Sequence, residues 1–378
     1  MVTMRTRPVW LGLIEKLWAQ RSIIWLSGVR RVGKTSLCQQ LAGAQYLNCD
    51  LPSVRRQLAD PELFYSQQRP GSTLILDEVH RVEDPSLLLK IAADAFPAIR
   101  ILATGSSTLQ ATRKFSDALT DRKRALHLLP VLWRECPDDF EVPDLDRRLL
   151  HGGLPEQLLG EAPDPAFFED WMDGFYARDI QELFGVRNRT GFLGLLRLAC
   201  LRNGGQLDIN DLAKETGLSR PTVMSNLDAM EIAHAVVRIP PYHGGGAREI
   251  IRQPRIYAFD TGLVAHVRGW TALRDSDRGP LWENLVLDEL RFSLPAAAIH
   301  YWRDKSQREV DFVIERPGGS ADAVEAKISP EAFDESGMLA LRALHPDGAN
   351  FLACPLVKEP YSIKRSGLEI RVCRPEQI

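Results

Sequence analysis

Short apolar runs, each about the length of a strand, alternate along the first third of the chain with stretches whose apolar positions recur every three or four residues. The runs are Ile23-Ile24-Trp25-Leu26, residues 45–50, Leu74-Ile75-Leu76 and residues 99–104. A helical pattern over residues 10–19 precedes the first, and another over Pro85–Ala95 leads to the last. This alternation predicts a parallel sheet with helices on its faces, ending near Glu135. Ligands of such sheets collect at the carboxyl ends of the strands.

From residue 143 to 201 the pattern turns helical, with a break at Gly152-Gly153-Leu154-Pro155. Trp171, Phe175, Tyr176, Ile180 and Leu183 recur at helical spacing and predict one apolar face; residues 187–201 predict a further amphipathic helix. Residues 207–219 read as a helix, a tight turn at Gly217 and a new N-cap at Ser219, followed by a second helix over 220–230. Two strands, at 235–239 and 255–259, flank a Gly/Arg-rich turn at 244–248. The order predicts a helix-turn-helix of winged-helix form. Farther on, a helix over 280–290 precedes strands at Ile299–Arg303, 309–314 and 323–327. The expected fold class is α/β: an ATPase-type parallel-sheet domain (1–135), a helical lid (136–204), a winged helix (205–265) and an α/β C-terminal domain (266–378).

The first candidate chemistry lies at a strand–helix junction. Gly28-Val29-Arg30-Arg31-Val32-Gly33-Lys34-Thr35 fits G-x-x-x-x-G-K-[ST], the phosphate loop, and Ser36 follows it. The glycines let successive N–H groups point at phosphate oxygens, Lys34 adds a charge for the β/γ-phosphates, and the Thr35 hydroxyl suits Mg²⁺. Asp77 and Glu78, after the 74–76 run, supply a carboxylate for the metal and one to polarise water. Ser106, after the 99–104 strand, is a candidate for contact with the γ-phosphate or water; an ordinary helix N-cap is the competing account. Arg122 is a candidate arginine finger acting on a neighbouring subunit's nucleotide, against a plain solvated charge cluster.

In the winged helix, Arg220, Thr222 and Asn226 are expected at the exposed start of the recognition helix, and Arg248, Arg252 and Arg255 are available for phosphates. The same module can serve as a protein-docking surface. In the C-terminal strands, alternation places Glu325 and Lys327 on one face, with Asp311 on the adjacent hairpin strand. Together with Glu283 on the preceding helix they could form a site for metal-dependent phosphodiester hydrolysis, Lys327 being its lysine. The alternative is an edge hairpin with solvated charges.

Composition narrows the rest. With 378 residues, 44% hydrophobic and 26% charged, the chain has the make-up of a folded multidomain protein. Basic and acidic residues number 47 and 50, for a net charge of −3, which argues against a surface coated with positive charge but leaves local DNA-binding patches open. Six scattered cysteines without a CxxC pair argue against a zinc ribbon and a disulfide framework. The absence of a secretory apolar region and of any run approaching roughly eighteen apolar residues predicts a cytoplasmic protein that does not span a membrane.

With these blocks in place, the chain resembles a bacterial and archaeal family of P-loop ATPases with an N-terminal AAA-type domain and a C-terminal domain of unknown function 4143. The likeness rests on Gly28–Thr35 with the paired Arg30-Arg31, on 74–78, 103–107 and the Arg122 region, and on Tyr176-Ala177-Arg178-Asp179-Ile180. It continues through 254–263, Trp282-Glu283-Asn284, Tyr301-Trp302-Arg303, Asp311 and Glu325-Ala326-Lys327. It implies ATP and Mg²⁺ as cofactors and a C-terminal fold similar to restriction endonucleases, which in relatives is often inactive. Two departures are His80, where relatives commonly have glutamine, and Asp121, where they commonly have glycine. The expected function is an ATP-driven motor or remodeller on duplex or branched DNA, assembled as a ring with six subunits the expected number. The alternatives are a nucleotide switch that docks protein partners and a nuclease licensed by ATP.

Overall fold

The computed structural model describes residues 5–105, 113–243 and 253–378. Among these residues the strands form three sheets. The first contains β1 (Ile23–Ser27), β2 (Gln45–Asn48), β3 (Thr73–Asp77), β4 (Arg100–Thr104) and β5 (Lys123–His127) in the order β2-β3-β4-β1-β5, every pair parallel. Central β1 is buried at all five positions, which explains its unbroken apolar sequence. Its residues alternate between two cores. Ile24 and Leu26 pack with Trp10, Ile14 and Trp18 of helix α1 (Pro8–Trp18). Ile23 and Trp25 join Leu88, Leu89 and Ala92 of another helix, Pro85–Ala95.

Strand β5 carries no apolar run: Lys123 and Arg124 are half-exposed at the sheet edge, so the segment reads in sequence as a charge cluster. Helix α2 (Lys34–Gln39) follows β1 directly across the phosphate loop. The α/β class and the flanking helices are as the alternation of runs predicts.

The middle of the chain is helical. In α3 (Pro165–Gly174) Trp171 is buried, and the chain then widens into a π-helical segment over Phe175–Gln181. Phe175, Tyr176 and Ile180 are buried as expected, whereas Leu183 is exposed. After α4 (Arg189–Leu201), helices α5 (Ile209–Thr216) and α6 (Arg220–Ile232) are joined through Gly217 and Leu218, and Ser219 caps α6 by accepting from the Thr222 N–H at 3.3 Å. An antiparallel pair follows, β6 (Val236–Ile239) with β7 (Arg255–Ala258).

The third sheet has the order β12-β13-β11-β10-β9-β8, built from β8 (Ile299–Arg303), β9 (Glu309–Glu315), β10 (Ala321–Ala326), β11 (Asn350–Ala353), β12 (Tyr361–Arg365) and β13 (Leu368–Cys373). It is mixed: β9 runs antiparallel to β8 and β10, while β10, β11 and β13 are parallel. Helix α7 (Asp275–Ser293) is longer at both ends than the apolar pattern suggests and continues through Pro280. Leu281, Trp282, Leu285 and Val286 share a core with Ile299, Phe312 and Val324 on one face of the sheet. Met338 and Leu341 of α8 (Ser336–Leu344) pack with Val310, Val313 and Ala323 on the other.

Candidate functional site

At the carboxyl end of β1 the phosphate loop adopts the dihedrals its glycines permit. Gly28 has φ +150°, and a Cβ there would lie 2.7 Å from the Leu128 carbonyl; Gly33 has φ +98°. Arg31, between them, takes φ +61° despite its side chain. Lys34 Nζ donates to the carbonyls of Gly28 (2.7 Å) and Val29 (3.1 Å). Burial lowers the Lys34 pKa, against the opposing pull of Glu78, Asp179 and Asp77. Gly28, Lys34, Glu78 and Asp179 border a cavity of about 640 Å³ that is also lined by Ser36, Phe175 and Arg178.

Asp77 ends β3 almost fully buried. Thr35 Oγ1 donates to its Oδ2 at 3.0 Å, the Tyr46 hydroxyl donates to the same oxygen, and Thr104 Oγ1 donates to Oδ1. Thr104 also accepts from the Glu78 N–H at 3.0 Å. One hydroxyl at the end of β4 therefore ties both acidic residues together; Ser106, the candidate for contact with the γ-phosphate or water, lies outside the described residues. Glu78 sits at φ +54°, and its Oε2 is 3.2 Å from Nδ1 of His80. The hydrogen bond to His80 leads the causes that lower the Glu78 pKa, overcoming burial. His80, one of the two departures from relatives, is thus a direct neighbour of the water-polarising candidate.

The helical segment closes the cavity from the side. Trp171 Nε1 donates to the Arg30 carbonyl at 3.1 Å, Arg31 lies over the Phe167 ring at 4.9 Å, and Arg30 pairs with Asp179 at 3.4 Å. Burial raises the Asp179 pKa while Arg30 and Lys34 oppose it. Helical periodicity marked Trp171 as core but gave no sign of its bond to the phosphate loop. A π-helical turn beside a ligand cavity is a common functional device, and the 3.6-residue pattern cannot reveal it.

Elsewhere the expectations divide. Arg122 Nε lies 2.6 Å from Asp94 Oδ1, so the guanidinium is engaged within its own chain. Asp121 has φ +58°, a left-handed conformation that glycine would adopt without strain. Arg220 and Thr222 are exposed on α6. Asn226 is a correction: it is 3% exposed, because its place on α6 turns toward the core with Val223, Leu227 and Met230. Arg248 and Arg252 lie outside the described residues.

The C-terminal charges also need correcting. Glu283, Asp311, Glu325 and Lys327 do meet, but cations of the chain itself take the carboxylates. Arg255, 4% exposed, reaches from β7 to Glu283 (3.0 Å), Glu309 (2.8 Å) and Asp311 (3.8 Å). Lys327 bridges Asp311 (3.0 Å) and Glu325 (2.6 Å). Burial followed by repulsion from Asp311 raises the Glu283 pKa to about 7, with Arg255, Tyr257 and Lys327 opposing. For Asp311, Lys327 and Arg255 outweigh burial and hold the pKa down. Among the described residues no group of three or more His, Cys, Asp or Glu is arranged to hold a metal ion. Arg255 is accordingly no phosphate contact: the carboxylates enclose it, and alternation along one strand could not foretell a partner from another segment.

The five-stranded parallel sheet with its phosphate loop and paired acids is an AAA-type ATPase domain at the N-terminal end of the chain. Residues 20–136 match the AAA domain family, 142–274 a domain of unknown function (DUF8612) and 278–362 the domain of unknown function DUF4143. The protein is an ATP-hydrolysing enzyme whose N-terminal AAA domain is joined through a DUF8612 segment to a C-terminal DUF4143 domain. Uncharacterized proteins of Mycobacterium tuberculosis and Mycobacterium bovis are each 28% identical over 311 residues, covering 78% of this chain and 68% of theirs. Among solved structures, Thermotoga maritima RuvB is similar over 62% of this chain and 90% of its own (16% identity, TM-score 0.31). Aeropyrum pernix ORC1 in complex with DNA is similar over 76% and 94% (11% identity, TM-score 0.31). Among the described residues no helix is long and apolar enough to cross a membrane.

Proposed function

We propose that the protein is an ATP-dependent motor or remodeller that acts on duplex or branched DNA, with hydrolysis moving a winged-helix module formed by α5, α6, β6 and β7. The observation that carries this reading is the position of Trp171. Its indole holds the Arg30 carbonyl of the phosphate loop at 3.1 Å, and its ring stacks on Phe259 at 4.6 Å, one residue beyond β7. A change in the loop on nucleotide binding therefore has a packed route to the strand pair.

In this reading Lys34 and the loop N–H groups bind the triphosphate. Thr35 and Asp77, 3.0 Å apart beside Lys34 and Glu78, fit Mg²⁺ as an oxygen donor pair. The ion would neutralise charge on the β- and γ-phosphates. Glu78 orients the attacking water, with Ser106 near the γ-phosphate. Arg122 leaves Asp94 to act on a neighbouring subunit's nucleotide, which makes a ring, with six subunits the expected number, the working assembly. Arg220, Thr222, Arg248 and Arg252 are the proposed DNA contacts. The engagement of Glu283, Asp311 and Glu325 by Arg255 and Lys327 favours a scaffold over a cleavage site.

A second reading, a nucleotide switch that docks a protein partner, is favoured by the exposed face of α6. That face carries Thr222, Met224, Ser225 and Asp228 beside Arg220, with little net positive charge. An ATPase assay across duplex, forked and four-way DNA, with and without Mg²⁺, separates the two. The motor requires a strong DNA-dependent rise in turnover that is lost in Lys34→Ala; a rate indifferent to every DNA supports the switch.

A further inference from the structure

Strand β2 forms the edge of the first sheet beside β3, with Asn48 opposite Asp77 and Tyr46 opposite Ile75. Residues two apart on a strand share a face, so Tyr46 stands on the face that carries Asp77. Its hydroxyl donates to Oδ2 of Asp77, the oxygen that also accepts from Thr35 at 3.0 Å. Next to it, the Cys49 N–H donates to the Asp77 carbonyl at 2.9 Å, which pins the end of β3 to the chain leaving β2. Three hydroxyls from three elements thus converge on one buried carboxylate. Two have further duties: Thr35 belongs to the phosphate loop, and Thr104 also holds the Glu78 N–H at 3.0 Å.

We propose that Tyr46 is a positioning residue for the divalent cation of the nucleotide site, fixing Asp77 Oδ2 when the Thr35 hydroxyl turns from Asp77 to the cation. This rests on the reading of Thr35 and Asp77 as the cation-binding pair. The torsion that orients an aspartate carboxylate is soft and broad, so the orientation depends on the donors around it. Thr104 holds Oδ1; once Thr35 turns away, Tyr46 is, among the described residues, the donor that remains on Oδ2. The phenol sits on a rigid ring anchored in a strand, which suits it to hold an oxygen in place at small entropic cost. Outer partners of metal-binding carboxylates commonly change metal affinity by about 10–100-fold when removed. Nucleotide without metal meets Lys34 and backbone N–H groups rather than Asp77, so loss of the Tyr46 hydroxyl acts on the metal-loaded complex alone.

The test is binding of a fluorescent ATP analogue to the full chain, titrated with Mg²⁺ and repeated in EDTA, for the parent, Tyr46→Phe, Thr35→Ala and Lys34→Ala. For Tyr46→Phe the Mg²⁺ concentration at half-effect should rise about tenfold while affinity in EDTA stays at the parental value and the variant remains folded. An unchanged Mg²⁺ requirement, or an equal loss with and without Mg²⁺, overturns the proposal. Thr35→Ala should abolish the Mg²⁺ effect; if it does not, the cation pair itself is wrong and the role of Tyr46 falls with it. Lys34→Ala should weaken binding in both conditions, and its failure to do so would instead remove the phosphate-loop reading.

Discussion

The indole N–H of Trp171 donates to the Arg30 carbonyl at 3.1 Å, so a helix far along the chain holds the backbone of the phosphate loop. Trp171→Phe keeps an aromatic ring for the stack on Phe259 but removes that bond, a loss of about 1 kcal/mol. Basal turnover should change little, while stimulation by DNA falls several-fold. Stimulation that survives intact in a folded Trp171→Phe protein means the signal travels by another route.

Glu78→Gln should separate binding from chemistry. The amide keeps the size of the side chain and leaves Asp77 with Thr35, Tyr46 and Thr104. ATP should bind with near-parental affinity and remain unhydrolysed, with turnover down by about a hundredfold or more. Single-turnover hydrolysis at the parental rate would show that another group holds the attacking water.

Arg122 and Asp94 lie 2.6 Å apart, which a finger acting in trans must undo. Arg122→Ala should retain nucleotide and lose turnover, and mixing it with Lys34→Ala subunits should restore activity where an intact loop meets an intact finger. Asp94→Ala should leave turnover at or above the parental rate. Mixtures that stay inactive although subunits exchange would rule Arg122 out.

Arg255→Gln removes the cation shared by Glu283, Glu309 and Asp311. Asp311 keeps Lys327 and Glu309 reaches water, so the loss falls mainly on Glu283 and should cost about 3 kcal/mol, measured by denaturant unfolding. Mn²⁺ should raise the melting temperature of this variant more than that of the parent, since a metal could then offset the repulsion. A cost near zero would mean that the cluster reorganises freely around the loss.

Burial raises the Asp288 pKa to about 7 from an ordinary 3.8, with Arg291 and Arg148 opposing. The folded state therefore holds the proton more tightly than the unfolded chain. The stabilisation is full below about pH 3.8 and is lost as pH rises through about 7. Unfolding free energy measured between pH 5 and 8 should fall with pH, and Asp288→Asn should flatten that slope. An identical slope in the variant would assign the dependence to Glu283 and Glu289, which shift the same way.

What could be read from the chain alone was local. The phosphate loop is a contiguous motif, Asp77 and Glu78 directly follow a strand that is apolar because both of its faces are covered, and helix Pro85–Ala95 and strand Ile299–Arg303 carry complete signals within their own lengths. Strand β5 escaped because an edge strand can keep its charges, and the π-helical segment because its widening leaves no distinct apolar period. Tertiary structure decided the partners. Thr104 and Tyr46 reach Asp77 only through the register of neighbouring strands, Asn226 is buried by the angle at which α6 packs, and Arg255 meets carboxylates as many as 56 residues away. A side chain's charge and size are written in the sequence, but the field and the neighbours that give it a role are set by segments distant in the chain.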